Sequence, residues 1–92
     1  MLEIMRYGEV KHIRLNLHNR KNEPFEIISA EYSLISQNGQ VIESGMATII
    51  EHTIDVLITP PAPGNYNLRY TYYIGDETRI TDVELRCVQW SI

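Results

Sequence analysis

PPAPGNYNLRYTYYIG, residues 60–75, sets three of the chain's four prolines directly before its densest run of tyrosines. Proline lacks a backbone donor and cannot sit inside a central strand. Pro60, Pro61 and Pro63 therefore predict a loop that pairs with neither neighbouring strand and carries the chain from one sheet to another. Gly64 permits a backbone geometry closed to other residues. From there Tyr66, Leu68, Tyr70 and Tyr72 recur at every second position, the rhythm of a strand with one buried face. Tyr66 is expected to place its ring in the core and its hydroxyl on a loop carbonyl at the rim.

The same rhythm extends in both directions. In KHIRLNLH, Ile13, Leu15 and Leu17 share one face, while His12, Arg14, Asn16 and His18 share the other. HNRKNEP supplies turn chemistry. In EIISAEYSLIS the even positions Ile28, Ala30, Tyr32 and Leu34 are predicted to be buried. Asn38-Gly39 then predicts a two-residue type I′ hairpin turn. The returning VIESGMATII changes phase between Ile42 and Ala47, which predicts a β-bulge near Ser44-Gly45. TIDVLIT buries Ile54, Val56 and Ile58 and leaves Leu57 outside. After the opening stretch, Ile74-Gly75-Asp76-Glu77 reads as a tight turn into TRITDVELRCV, with Val83, Leu85 and Cys87 inward. About seven antiparallel strands, with no helical periodicity, predict an all-β sandwich spanning residues 1–92 as one domain.

Ninety-two residues hold one small core. The single cysteine, Cys87, can form no internal disulfide and reads as a small core residue. In MLEIMRYGEV, Glu3 and Arg6 interrupt any signal-peptide core, and no stretch approaches the roughly 20 apolar residues of a membrane helix. Cytoplasmic synthesis without a membrane segment is the expectation. Twelve acidic against eight basic side chains give a net charge of −4. With its basic residues dispersed, the chain lacks the patch that neutralises phosphates, which argues against nucleic acid as a partner.

The residues that carry chemistry form no reactive pattern. His12, His18 and His52 lack metal-ligand spacing; His12 and His18 lie roughly 20 Å apart at strand rise. Asp76, Glu77, Asp82 and Glu84 suggest a calcium loop, but they also read as a hairpin tip and a wet strand face. No nucleophile motif or phosphate-binding glycine loop occurs. The expectation is a non-enzymatic protein with no catalytic residue, no metal, no cofactor and no small-molecule ligand. Tyr70, Tyr72 and Tyr73 admit two readings, an aromatic platform or core. Phase places Tyr70 and Tyr72 inside and leaves Tyr73 exposed. Ile27, Ile35, Leu57, Ile74, Trp90 and Ile92 fall out of phase with the core or beyond its last strand. Of these, Leu57, Ile74, Trp90 and Ile92 join Tyr73 as a candidate interaction surface for self-association or a protein partner.

The Pro-x-Gly-x-Tyr lead-in to a strand resembles the crossover before the penultimate strand of immunoglobulin-like and fibronectin-III-like domains. The longer order resembles the small immunoglobulin-like domains in structural proteins of tailed phages and prophages, above all the N-terminal domain of baseplate upper proteins. Its matching positions are Ala30, Tyr32, Asn38, Gly39, Gly45, Ala47, Ile49, Pro63, Gly64, Tyr66, Gly75 and Asp76. The structural positions among them are Gly39, Gly45, Pro63, Gly64 and Tyr66. The chain departs from that pattern by stopping just past the last strand and by lacking a glycine before Pro24. The resemblance implies a virion or accessory protein that works through surfaces, so no functional residue transfers. The alternative is a bacterial immunoglobulin-like domain that binds carbohydrate or peptide through Tyr73 and Trp90.

Overall fold

The protein is seen in a computed structural model that describes residues 1–18 and 24–89. Eight strands occur among the described residues: β1 (Leu2–Arg6), β2 (Lys11–Asn16), β3 (Ile27–Ser36), β4 (Val41–Met46), β5 (Thr48–Ile50), β6 (Thr53–Ile58), β7 (Gly64–Ile74) and β8 (Glu77–Val88). They form a five-stranded sheet in the order β1-β8-β7-β3-β4 and a three-stranded sheet in the order β2-β6-β5. The all-β sandwich-like arrangement is the predicted one. The count is eight rather than about seven. Beyond the six alternating runs named above, residues 2–6 form a strand of their own, and VIESGMATII divides into two.

The division explains the broken alternation of that segment. The Ala47 N–H still donates to the Ala30 carbonyl at 2.9 Å, on the large sheet. Thr48–Ile50 then pair with β6 in the small sheet. The phase changes because the chain changes sheets. The bulge predicted at Ser44-Gly45 lies elsewhere: Leu34 faces Glu43 and Ile35 faces Val41, so Ile42 is the extra residue. Gly45 sits in regular register opposite Tyr32. A Cβ there would lie 3.4 Å from that ring, an ordinary van der Waals contact, so Gly45 marks where the Tyr32 ring lies against the strand.

Two other expectations are corrected. Ile27 faces Ile74 and Ser29 faces Tyr73, which makes Ile28 a bulge residue. Ile27 is therefore buried, with 4% of its surface exposed, and Ile28 is the exposed one at 63%. The strand signal of β3 was sound, but one inserted residue inverts the phase before it. At the β3–β4 turn the Gly39 N–H donates to Ser36 O and the Ser36 N–H to Gln40 O. Gly39 has a positive φ of 89° and Asn38 does not. The connection is thus a three-residue loop, a type I turn closed by a glycine bulge, rather than type I′. Asn38 contributes through its side chain, whose Oδ1 accepts from the Gln40 N–H at 3.2 Å.

The core lies where the sheets face one another. Ile13, Ile54, Val56 and Ile58 of the small sheet oppose Ala30, Leu34, Leu68, Tyr70, Val83, Leu85 and Cys87 of the large one. Each large aliphatic side chain buried there stabilises the fold by about 1.5–3 kcal/mol. Tyr70 is fully buried and donates its hydroxyl to the Ile13 carbonyl at 2.8 Å, joining the two sheets through the core. Tyr66 opens β7 and donates its hydroxyl to the Ala62 carbonyl at 2.7 Å, which fastens the proline loop to the strand it introduces. Gly64 makes the turn into β7 at φ 148°, a value that favours glycine.

β1 lies parallel to β8, from Leu2 opposite Glu84 to Arg6 opposite Val88. Met5 is its one buried residue. A parallel neighbour was outside the antiparallel expectation, because nothing local in MLEIMR distinguishes pairing direction. The long strands of the large sheet outreach the small sheet, and the molecule measures 49 × 24 × 18 Å.

Candidate interaction surface

Register decides which side chains share a face, because residues directly opposite in a ladder point the same way. On the outside of the large sheet, one row runs Ile80, Thr71, Glu31, Met46 and another runs Leu2, Glu84, Asn67, Ile35, Val41. Between them lie Asp82, Arg69, Ser33 and Ser44. Ile80 and Met46 are exposed at 62% and 70%, and Val41 and Leu2 are also exposed. At the centre Arg69 grips Asp82 with Nε at 2.9 Å and Nη2 at 3.1 Å. That charge-assisted pair holds the Asp82 carboxyl below the usual carboxylate range.

The outside of the small sheet is organised around Asp55. His12 Nδ1 lies 2.9 Å from one of its oxygens and Arg14 Nε lies 3.6 Å from the other. Leu57 stands opposite His12 in the ladder and is exposed at 52%. His52 belongs to the opposite end of the sheet, stacked on Phe25 at a centroid distance of 4.0 Å. Its Nε2 donates to the Phe25 carbonyl at 3.0 Å. His12 and His52 thus serve separate structural contacts.

Three of the four acidic residues considered for calcium are divided among arginines: Glu77 with Arg79 and Glu84 with Arg86, besides Asp82 with Arg69. Among the described residues no group of three His, Cys, Asp or Glu side chains converges as metal ligands would. The tyrosines resolve in favour of core. Tyr66, Tyr70 and Tyr72 are buried, and Tyr72 shares a 2.9 Å hydrogen bond with Thr81. Burial pushes the Tyr70 hydroxyl well above its ordinary pKa, with the charges of Asp55 and Glu3 adding to it. Burial also raises the thiol of Cys87.

The candidate residues do not form one patch. Leu57 is on the outside of the small sheet, whereas Tyr73 is on the outside of the large sheet between Ser29 and Thr78, and only half-exposed. Ile74 packs against the core cluster and is removed from the surface set. Ile35, half-buried, belongs to the outer row of the large sheet. Trp90 and Ile92 lie outside the described residues. The exposed apolar residues that sequence phase missed include Ile28, Val41, Met46 and Ile80, along with Leu2 and Ile4 of β1. Ile80 was visible in principle, since it alternates against Val83 and Leu85 in an unbroken strand. No helix among the described residues is long and apolar enough to cross a membrane. No family model, curated protein or solved structure matches the chain.

Proposed function

We propose that the chain is an immunoglobulin-like, non-enzymatic structural module of tailed-phage or prophage origin, a virion or accessory protein that acts through protein–protein contacts. The observation that carries this reading is the strand order. In the lettering of immunoglobulin domains, β2, β6 and β5 correspond to B, E and D, and β3, β7 and β8 to C, F and G. β4 then takes the place of the extra strand beside C, and β1 lies along G. The Tyr66 hydroxyl on Ala62 supports the same reading, since a tyrosine at the start of strand F bonding back to the E–F corner is a hallmark of such sandwiches. Antibody domains join B and F by a disulfide; here the Tyr70 hydroxyl on the Ile13 carbonyl joins the corresponding strands.

The phage assignment draws on the order of short motifs, from Asn38-Gly39 through Gly45 and Pro63-Gly64-x-Tyr66 to Gly75-Asp76. The protein-contact assignment draws on the outer face of the large sheet, where apolar side chains flank a compensated ion pair. Such a mixture of apolar and polar groups suits a protein partner. The test is quantitative peptide mass spectrometry of purified, nuclease-treated particles from a producing strain, followed by cross-linking. The expected result is this chain at fixed stoichiometry with a head or tail protein, cross-linked through large-sheet residues. Its absence from particles whose other structural proteins are all detected would overturn the proposal.

A further inference from the structure

The two sheets have four edge strands, and three of them are guarded. β1 is covered at its rim by Lys11, whose Nζ donates to the Ile4 carbonyl at 3.3 Å and lies 3.6 Å from Glu3. β2 carries Lys11, His12 and Arg14, and β5 is only three residues long. Charge, cover and brevity are the usual protections of an edge against pairing with another chain. β4 has little of this. All six of its residues are exposed, Glu43 is its one charge, and among the described residues no strand lies on its far side.

Its backbone is also oriented for pairing. The Ala47 N–H points toward β3, where it bonds to Ala30. Alternation along an antiparallel strand then turns the N–H and C=O of Ser44 and Met46 away from β3, toward the open edge. The side chains restrict the register of a symmetric pairing. Centring it on Glu43 would set two carboxylates directly opposite. Centring it on Gly45 would leave a ladder cut short at Ala47, where the chain leaves the sheet. Centring it on Ser44 sets Glu43 against Gly45, where no side chain competes, and Ile42 against Met46. It also lets each Ser44 exchange both backbone hydrogen bonds with its counterpart.

We propose that β4 is a self-association edge, pairing antiparallel with β4 of a second copy about a two-fold axis through Ser44. The two five-stranded sheets thereby join into one. This deepens the protein-contact reading above and rests on it, naming the first partner as the chain itself. It is the β-augmentation mode of recognition, with main-chain bonds supplying affinity and Ile42–Met46 contacts supplying register.

The experiment is sedimentation velocity of the full chain from about 10 µM to about 1 mM, a span that covers weak pairing. It is run on the unsubstituted protein, Ser44→Pro and Ser44→Glu. The Ser44 N–H faces away from β3, so proline there removes no bond within the fold. The glutamate variant keeps the strand intact and opposes two carboxylates across the axis. The expected result is a concentration-dependent dimer that each variant weakens at least about tenfold, with unchanged circular dichroism. Ser44→Cys should cross-link to itself through a short bis-maleimide, Cys87 being buried and shielded. A monomer across the whole range, or a dimer that neither variant weakens, overturns the proposal. A monomeric protein still found in particles sinks this inference alone, whereas a dimer absent from particles sinks the virion reading alone.

Discussion

Replacing Tyr70 with phenylalanine removes a single oxygen from the centre of the sandwich, and the structure sets what that oxygen is worth. Tyr70 is 0% exposed and Ile13, whose carbonyl accepts its hydrogen bond at 2.8 Å, is 1% exposed. Water cannot reach the site, but the register makes Ile13 and Val56 a hydrogen-bonded pair of the ladder, so the carbonyl keeps that bond and loses its second donor. The loss is therefore that of one net hydrogen bond in a dry site, about 1.5 kcal/mol. For a domain of this size that lowers the melting midpoint by about 6–12 °C. The control is Tyr66→Phe, which deletes the same atom from a part-buried rim, where water can replace it. Its expected cost is about 1 kcal/mol. Urea unfolding followed by circular dichroism, with equal m-values, reads both. A Tyr70→Phe midpoint equal to that of the unsubstituted protein, or a Tyr66→Phe cost above that of Tyr70→Phe, would refute the claim that this hydroxyl bridges the sheets.

Three further outcomes follow from the same geometry. Burial, with Asp55 and Glu3 behind it, raises the Tyr70 hydroxyl above the unfolded value of about 10. Its contribution is therefore whole below about pH 10 and is lost as pH rises beyond that, with a limiting slope of about 1.4 kcal/mol per pH unit. Stability measured between about pH 9 and 12 should fall less steeply in Tyr70→Phe. The bulge in β3 predicts opposite responses from adjacent isoleucines: Ile27→Ala should cost about 2–4 kcal/mol and Ile28→Ala less than about 0.5 kcal/mol by urea denaturation. Equal costs would contradict the register. Glu51 holds φ at 55°, a left-handed conformation that costs a non-glycine residue about 1 kcal/mol. Glu51→Gly should therefore raise the melting midpoint by several degrees, and a lowered midpoint would count against the turn geometry.

Legibility in the sequence tracked the range over which each feature is decided. The inward positions of β6, β7 and β8 were readable because period-two alternation runs unbroken from Ile54 to Ile58, Tyr66 to Tyr72 and Val83 to Cys87. Ile27, Ile28 and Ile42 were not readable, since a bulge is defined by two residues opposing one on another strand. The candidate surface suffered most. Leu57 and Tyr73 look alike as outward apolar residues, yet they belong to different sheets. Met46 and Val41 form part of a face only because β4 pairs with β3.

By itself the sequence determined that the chain is built of strands, where the proline loop must cross, and which side of the longest strands is wet. Those are properties of a few consecutive residues, written in side-chain alternation and in proline's missing donor. Only the tertiary structure decided that residues 2–6 run parallel to β8, that the chain changes sheets at Ala47, and that among the described residues no strand pairs with the far side of β4. The reason is physical: pairing partner and direction depend on which distant backbone donors and acceptors come into register, and every peptide carries the same two groups whatever its side chain.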